Sequence, residues 1–254
     1  MKRLNRSHLL PFCLVAALWI GVSDAKAQVS SGWDGMYVSG ALSSSSYKHT
    51  IDSLHTYNAG YFPNSQNPSA INTDLSVQLG KNWTFDRVLV GLEIDYDPSK
   101  STKTVCRGAS EITRCITAWE GYLNISDSID LQGSGKIRLG YILDKFMIYT
   151  AVGFARLKHS SSLDVVCPSG CGLSDSDSYT AVTTVSENKT RPVFGFGFEY
   201  KVSERWNVGA DYQYLQSGNL SQTQQKTATY GTQQISSTSS VNVSRAQLRL
   251  IYRF

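Results

Sequence analysis

The sequence predicts an all-β protein: an eight-stranded antiparallel β-barrel that crosses a membrane, with short turns at one end and four long loops at the other. Three observations carry that expectation. Segments of about ten residues alternate apolar and polar side chains, the length a tilted strand needs to cross a hydrocarbon layer. The apolar face of these segments carries no charge in mid-strand. Long and short connections alternate strictly along the chain, four long with three short, which requires eight strands.

Successive side chains of a strand point to opposite faces, so each segment can be split in two. Met36, Val38, Gly40 and Leu42 oppose Tyr37, Ser39 and Ala41 in the first. Ile71, Thr73, Leu75, Val77 and Leu79 oppose Asn72, Asp74, Ser76, Gln78 and Gly80 in the second. Val88, Val90, Leu92, Ile94 and Tyr96 oppose Leu89, Gly91, Glu93 and Asp95. The fourth sets Leu131, Ile137, Leu139 and Tyr141 against Gln132, Ser134, Lys136, Arg138 and Gly140. Ile148, Thr150, Val152 and Phe154 oppose Tyr149, Ala151, Gly153 and Ala155. The sixth is the clearest, Phe194, Phe196, Phe198 and Tyr200 against Gly195, Gly197, Glu199 and Lys201. Trp206, Val208, Ala210, Tyr212 and Tyr214 oppose Asn207, Gly209, Asp211 and Gln213. In the last, Ala246, Leu248, Leu250, Tyr252 and Phe254 oppose Arg245, Gln247, Arg249, Ile251 and Arg253.

A water-facing surface would show Lys or Glu on the uncharged face. The oily stripe is therefore expected to face lipid, unlike that of a soluble eight-stranded barrel. Trp33, Tyr37, Trp83, Phe85, Tyr96, Tyr141, Phe146, Trp206, Tyr252 and Phe254 fall near strand ends, where interfacial aromatic girdles sit. Short links are expected near 82–87, 143–145 and 203–205, and long, polar, mobile loops over 43–70, 97–130, 158–189 and 216–240. Both termini then lie on the short-turn, periplasmic side.

Residues 1–27 are set apart as a cleaved signal peptide, leaving a barrel domain over 28–254. Lys2, Arg3 and Arg6 precede an apolar run at 9–22, and Ala25-Lys26-Ala27 offers a small-x-small cleavage pattern. The run is short of the ~20 residues of a spanning helix. The formal charge of +4 belongs largely to this segment; its four basic residues and one acidic residue removed, the charge is +1. No cationic patch with interleaved aromatics remains, so nucleic acid is not an expected partner. With no long apolar run elsewhere, only a closed barrel can satisfy the backbone in lipid.

Cys106 with Cys115 and Cys167 with Cys171 form two local pairs in polar loops of an exported chain. That favours two disulfides over a metal site, since no histidine stands beside either pair. The lumen is expected to be filled by an ion-pair network of Asp74, Glu93, Asp95, Lys136, Arg138, Glu199, Lys201, Asp211, Arg245, Arg249 and Arg253. An eight-stranded barrel is only wide enough for its side chains to fill, and opposite signs must pair because isolated buried charges cost several kcal/mol each. A selectivity lining for a narrow pore is the competing reading. Inward Gly91, Gly140, Gly153, Gly195 and Gly197 make room for bulky neighbours. No catalytic residue, metal ligand or cofactor is assigned: there is no G-x-S-x-G or H-E-x-x-H pattern, and His49, His55 and His159 lie in or beside long loops.

Several of these segments resemble the RopB-like porin family of small alphaproteobacterial outer-membrane barrels. The resemblance lies in Gly32-Trp33-Asp34-Gly35-Met36-Tyr37-Val38-Ser39-Gly40, in Val90-Gly91-Leu92-Glu93-Ile94-Asp95, and in Lys136-Ile137-Arg138-Leu139-Gly140-Tyr141 followed by 147–153. It continues in Gly195-Phe196-Gly197-Phe198-Glu199-Tyr200 and Trp206-Asn207-Val208-Gly209-Ala210-Asp211-Tyr212. It covers the strands from Trp33 to Phe254 and not the loops, and the cysteine pairs have no counterpart in it. The resemblance implies a surface protein of the outer membrane that supports envelope integrity, host contact or limited permeability; some members bind haemin. The expected function is thus a non-catalytic outer-membrane surface barrel, the alternatives being a narrow passive channel or a haemin-binding protein using His49, His55 or His159. Expected partners are outer-membrane lipid and lipopolysaccharide, the barrel-assembly machinery through Leu248, Leu250, Tyr252 and Phe254, and host or surface ligands at the loops.

Overall fold

A computed structural model of the chain describes residues 32–57, 60–108, 122–167, 179–228 and 231–254. The expected signal peptide, Cys115 and Cys171 lie outside the described residues. The strands are β1 (Gly35–Tyr57), β2 (Gly60–Gln66), β3 (Ser69–Phe85), β4 (Val88–Tyr96), β5 (Lys100–Gly108), β6 (Tyr122–Leu143), β7 (Phe146–Cys167), β8 (Tyr179–Lys201), β9 (Trp206–Gln216), β10 (Leu220–Ala228) and β11 (Gly231–Arg253).

Eight of them close a ring, in the order β1-β3-β4-β6-β7-β8-β9-β11 and back to β1, with every pairing antiparallel. Closure runs through Tyr37 opposite Arg253 up to Tyr57 opposite Gln233. A closed ring leaves no unpaired edge, the condition for a sheet in lipid. At the periplasmic end two turns are only two residues long. Asp86 (φ 56°) and Asp144 (φ 57°) open them in the left-handed region, which a short polar side chain tolerates.

Lipid-facing positions are the alternating ones expected. Leu75, Leu92, Leu139, Phe154, Phe194, Phe196, Leu248 and Leu250 all stand outward and exposed. At the periplasmic rim Trp206 meets Tyr252 edge-on at 5.0 Å, Tyr252 meets Phe254 at 5.3 Å, and Phe146 meets Tyr200 at 5.0 Å. Two members expected in this girdle are elsewhere: Trp33 and Tyr37 are buried inside the barrel, at 1% and 0% exposure. Tyr37 occupies an inward position of β1, and its proximity to a strand end misled where its pleat parity did not.

The larger departure concerns the long connections. Most of their length is sheet. β1 alone has 23 residues, about 75 Å at ~3.3 Å per residue, against an apolar band ~25 Å tall. β2, β5 and β10 add further rungs on β1, β6 and β11, so the polar stretch at 221–240 is largely paired strand. The reason is an inverted pattern. Above the band, apolar residues point inward and Ser or Thr outward, as in a soluble barrel. β11 keeps one parity throughout, with Val243, Val241 and Ile235 inward beyond Arg245. β6 instead changes parity at an irregularity between Leu131 and Gly133. As a result Leu131, expected toward lipid, is buried inside at 2% exposure, and Gln132, expected inside, is exposed.

Candidate functional site: the layered lumen

Along β1, β6, β7 and β11 the inward side chains stack in layers whose order is set by strand position. Near the periplasmic end sits an apolar floor of Trp33, Leu89, Ile142, Met147 and Tyr149. Above it lies the ionic layer. Next come Tyr47, Ile129, Leu131, Ala155, Leu157, Val193, Leu215, Val241 and Val243 as one cluster. A polar layer around Asp127 follows, and Ile51, Val105, Ile125, Leu163, Val165 and Ile235 cover it.

The ionic layer joins nine of the eleven lumen residues expected from sequence. Glu93 is its hub: it lies 2.6 Å from Arg249, 3.2 Å from Lys136 and 3.5 Å from Arg138, and it accepts the Tyr37 hydroxyl at 2.6 Å. Glu199 accepts from Arg138 and, at 2.9 Å, from Arg253. Arg249 lies 3.5 Å from Asp211, and Lys136 lies 3.7 Å from Asp95. Arg245 reaches Asp95 at 3.8 Å and pairs closely with Asp97. Five acids (Glu93, Asp95, Asp97, Glu199, Asp211) thus meet five bases (Lys136, Arg138, Arg245, Arg249, Arg253), so the layer is neutral by count. Asp97, expected to begin a loop, is an unforeseen member; it continues the inward parity of Glu93 and Asp95. Asp74 and Lys201 stand at the margins, and neither makes an ion pair among the described residues.

Aromatic rings complete the layer. The Arg138 guanidinium lies 3.9 Å from the centre of the Tyr149 ring, and Arg249 donates to the Tyr149 hydroxyl at 3.0 Å. The Arg253 guanidinium lies 5.0 Å from the Trp33 ring and donates to the Trp33 carbonyl at 2.7 Å. Two glycines are required by these rings. A Cβ on Gly80 would fall 2.3 Å from Tyr37 Cζ, and one on Gly197 would fall 2.7 Å from the Tyr149 hydroxyl.

The second polar layer was not foreseen. His49 Nδ1 is 2.7 Å from Asp127 Oδ2, His159 Nε2 is 2.9 Å from Asp127 Oδ1, and the Ser239 hydroxyl donates to the same oxygen at 2.7 Å. All four side chains are buried. Burial pushes the Asp127 carboxyl up, but the hydrogen bonds from His159, His49 and Ser239 outweigh it and hold its pKa at about 2. Asp127 lies eight residues beyond Gly135 on β6, above the lipid-facing band. Its legible signal was the inward parity it shares with Ile125 and Ile129. Ser101 Oγ stands 3.3 Å from the other nitrogen of His49, giving the order of a Ser-His-Asp relay. That hydroxyl is 3% exposed and lies between two apolar layers. His49 and His159 are at 0% exposure and are committed to Asp127, which places them out of reach of a surface ligand such as haemin. The side chain of His55 lies outside the described residues. Cys106 and Cys167 fall in the upper parts of β5 and β7. Among the described residues no group of three His, Cys, Asp or Glu converges as a metal site.

A closed ring, an uncharged outer belt and a neutral ionic filling define a transmembrane β-barrel. The family model described as "Outer membrane protein beta-barrel domain" matches residues 14–254, and the chain belongs to that family. It is an outer-membrane protein. Among curated relatives, the 31 kDa outer-membrane immunogenic protein of Brucella melitensis is 26% identical over 191 residues, 73% of this chain and 72% of the relative. The protein of the same name from Brucella suis matches equally. Among solved structures, the attachment invasion locus protein Ail of Yersinia pestis is 15% identical, covering 87% of this chain and 99% of that one at a TM-score of 0.34. Neisserial surface protein A is 9% identical, covering 87% of this chain and 97% of its own at 0.33. The outer membrane protease OmpT of Escherichia coli is 11% identical, covering 92% and 100% at 0.46.

Proposed function

We propose that this chain is a sealed, non-catalytic surface barrel that anchors in the outer membrane and holds a rigid sheet extension above it for contacts outside the cell. The observation that carries this is the stacked lumen: a balanced ionic layer within the membrane, then two apolar layers separated by the Asp127 layer. An unbroken water path would have to cross the cluster around Leu157 and Ile129, both at 0% exposure, and apolar constrictions exclude ions by dewetting. The extension is stiffened by continuous pairing, so the strand tips are presented on a rigid stalk. The outward Leu248, Leu250, Tyr252 and Phe254 of β11 form the surface we assign to recognition by the barrel-assembly machinery, and outer-leaflet lipid is the partner of the wall. Two disulfides, Cys106–Cys115 and Cys167–Cys171, would brace the tips. Planar-bilayer recording of the refolded protein tests the sealed reading. It should give no steady conductance steps, and reproducible steps altered by Leu157→Ala would overturn it.

A further inference from the structure

On the outer wall, the belt ends in Tyr96 on β4 and Phe154 on β7, at 61% and 64% exposure. Immediately above them stand three outward cations on one side of the barrel: Lys100, Arg156 and Lys158, all exposed. Lys100 and Lys158 are both register partners of Asp130 on the intervening β6, so their backbones are about 10 Å apart across two strand spacings. Arg156 lies two residues above Phe154, about 7 Å along the strand. Asp130, half-buried between the lysines, is the one acidic group on this patch, and among the described residues none of the three cations lies within ion-pair distance of a carboxylate. Elsewhere round the barrel the corresponding outward positions are Ser44 and Ser46, Thr73 and Ile71, Thr190 and Asn188, Gln216, and Ser244 and Asn242, none of them charged. Lys48 on β1 is an isolated exposed cation.

We propose that Lys100, Arg156 and Lys158 form a binding site for the phosphate groups of an outer-leaflet glycolipid, whose acyl chains lie against Ile94, Val152 and Phe154 below. Height and chemistry both point to this occupant. The site begins where the apolar belt stops, which is where the phosphates of an inserted lipid must sit, and it carries an excess of positive charge facing lipid and not the lumen. Arg156 supplies a fork suited to phosphate oxygens and the lysines supply movable point charges. The Tyr96 and Phe154 rings fix the depth of the chain–headgroup boundary. The inference rests on the membrane orientation derived above, and its test separates the two.

The refolded full chain in detergent micelles is mixed with purified lipopolysaccharide, with its dephosphorylated form, and with a soluble sulfated glycan, and bound species are read by native mass spectrometry. A shift between boiled and unboiled gel samples shows independently that each variant has formed its barrel; loss of that shift in the wild type would sink the orientation and not the lipid site alone. The wild type is expected to retain the phosphorylated glycolipid. K100Q/R156Q/K158Q should weaken retention at least tenfold, R156K should restore part of it when the two lysines are kept, and K48Q should leave it unchanged. Equal retention of the dephosphorylated lipid, an undiminished triple variant, or an equal loss in K48Q would overturn the site. Binding of the soluble glycan as tightly as the lipid would assign the patch to a polyanionic surface partner and overturn the lipid reading.

Discussion

Replacing Glu199 by Gln keeps the shape of the side chain and removes one charge from the enclosed lumen. Two guanidinium groups then lose a carboxylate partner: Arg138, which is left with Glu93 at 3.5 Å, and Arg253, which is left with the Trp33 carbonyl at 2.7 Å. Arg138 and Glu199 are both at 0% exposure, so water cannot substitute for the missing charge without opening the barrel. Breaking one side of a buried ion pair costs on the order of 3–5 kcal/mol, a change of about 10²–10⁴ in the folding equilibrium. Urea titration in detergent micelles, followed by the folded band on unboiled gels, would show the transition moving to lower urea. The double change Arg138→Met with Glu199→Met removes both charges and should recover part of the loss, with Arg253 still lacking its carboxylate, since a well-packed apolar pair often replaces a buried ion pair without penalty. If Glu199→Gln unfolded at the wild-type urea concentration with the same slope, the ionic layer would not be a closed, mutually neutralising unit, and the sealed lumen would lose its basis.

Phe196→Arg places a charge on the lipid face near mid-band, at a cost of ~2–4 kcal/mol; insertion into lipid vesicles, scored by protease protection of the barrel, should fall sharply while Phe196→Leu inserts normally. Leu157→Ala empties part of the apolar layer above the ions and should cost ~2–5 kcal/mol, read as a lower urea midpoint with the periplasmic half still protected in amide exchange. Gly80→Val drives a side chain into the buried Tyr37 ring, so folding yield should drop, and Tyr37→Ala in the same chain should restore part of it. Asp127 has its carboxyl pKa lowered to about 2, so its stabilising contribution is complete above the ordinary carboxylate pKa and disappears as pH falls through about 2. Amide exchange at the upper ends of β6 and β7 should therefore accelerate between about pH 4 and 2, and Asp127→Asn should abolish that acid dependence; an unchanged pH profile in the variant would exclude Asp127 as its source.

How much of this was legible followed from the range over which one solvent rule applied. Within the membrane the alternation in β8 and β9 is unambiguous, because lipid forbids charge on one face and the lumen gathers it on the other; Phe194 to Tyr200 could be faced by eye. The lumen partners Glu93, Arg138, Glu199 and Arg249 are nameable from parity alone, though which acid meets which base is set by ring closure and strand stagger. Above the membrane the same reading fails, because the Ser, Thr and Gln content of 221–240 reads as solvated loop. Its single branched aliphatic side chain, Ile235, in fact lies on the inward face of β11 with Val241 and Val243, and no periodic apolar pattern announces it. Leu131 was misplaced for a local reason: an irregularity at Gly133 shifts the register by one, and nothing in the apolar pattern marks it. His49, Asp127 and His159 come from three separate strands, and their convergence depends on ring closure and shear.

The inversion of pattern on a single pleat explains the architecture better than either tier alone. β11 runs from Ile235 to Arg253 with one parity, yet its inward face passes from aliphatic to cationic and its outward face from hydroxyl-bearing to apolar. Each half is consistent only with its own surroundings. In lipid the outside satisfies the hydrophobic requirement and the inside must neutralise its polar groups internally; in water the outside is solvated, and an aliphatic filling is what holds the sheet closed. The two fillings meet between Arg245 and Val243, and that boundary sets how far the barrel can slide along the membrane normal. Moving the chain outward by one residue pair would bring the uncharged belt into water; moving it inward would drag Arg156 into hydrocarbon. The wall and the lumen together set the vertical position of the protein, so the proposed stalk would be carried at a constant height above the outer leaflet.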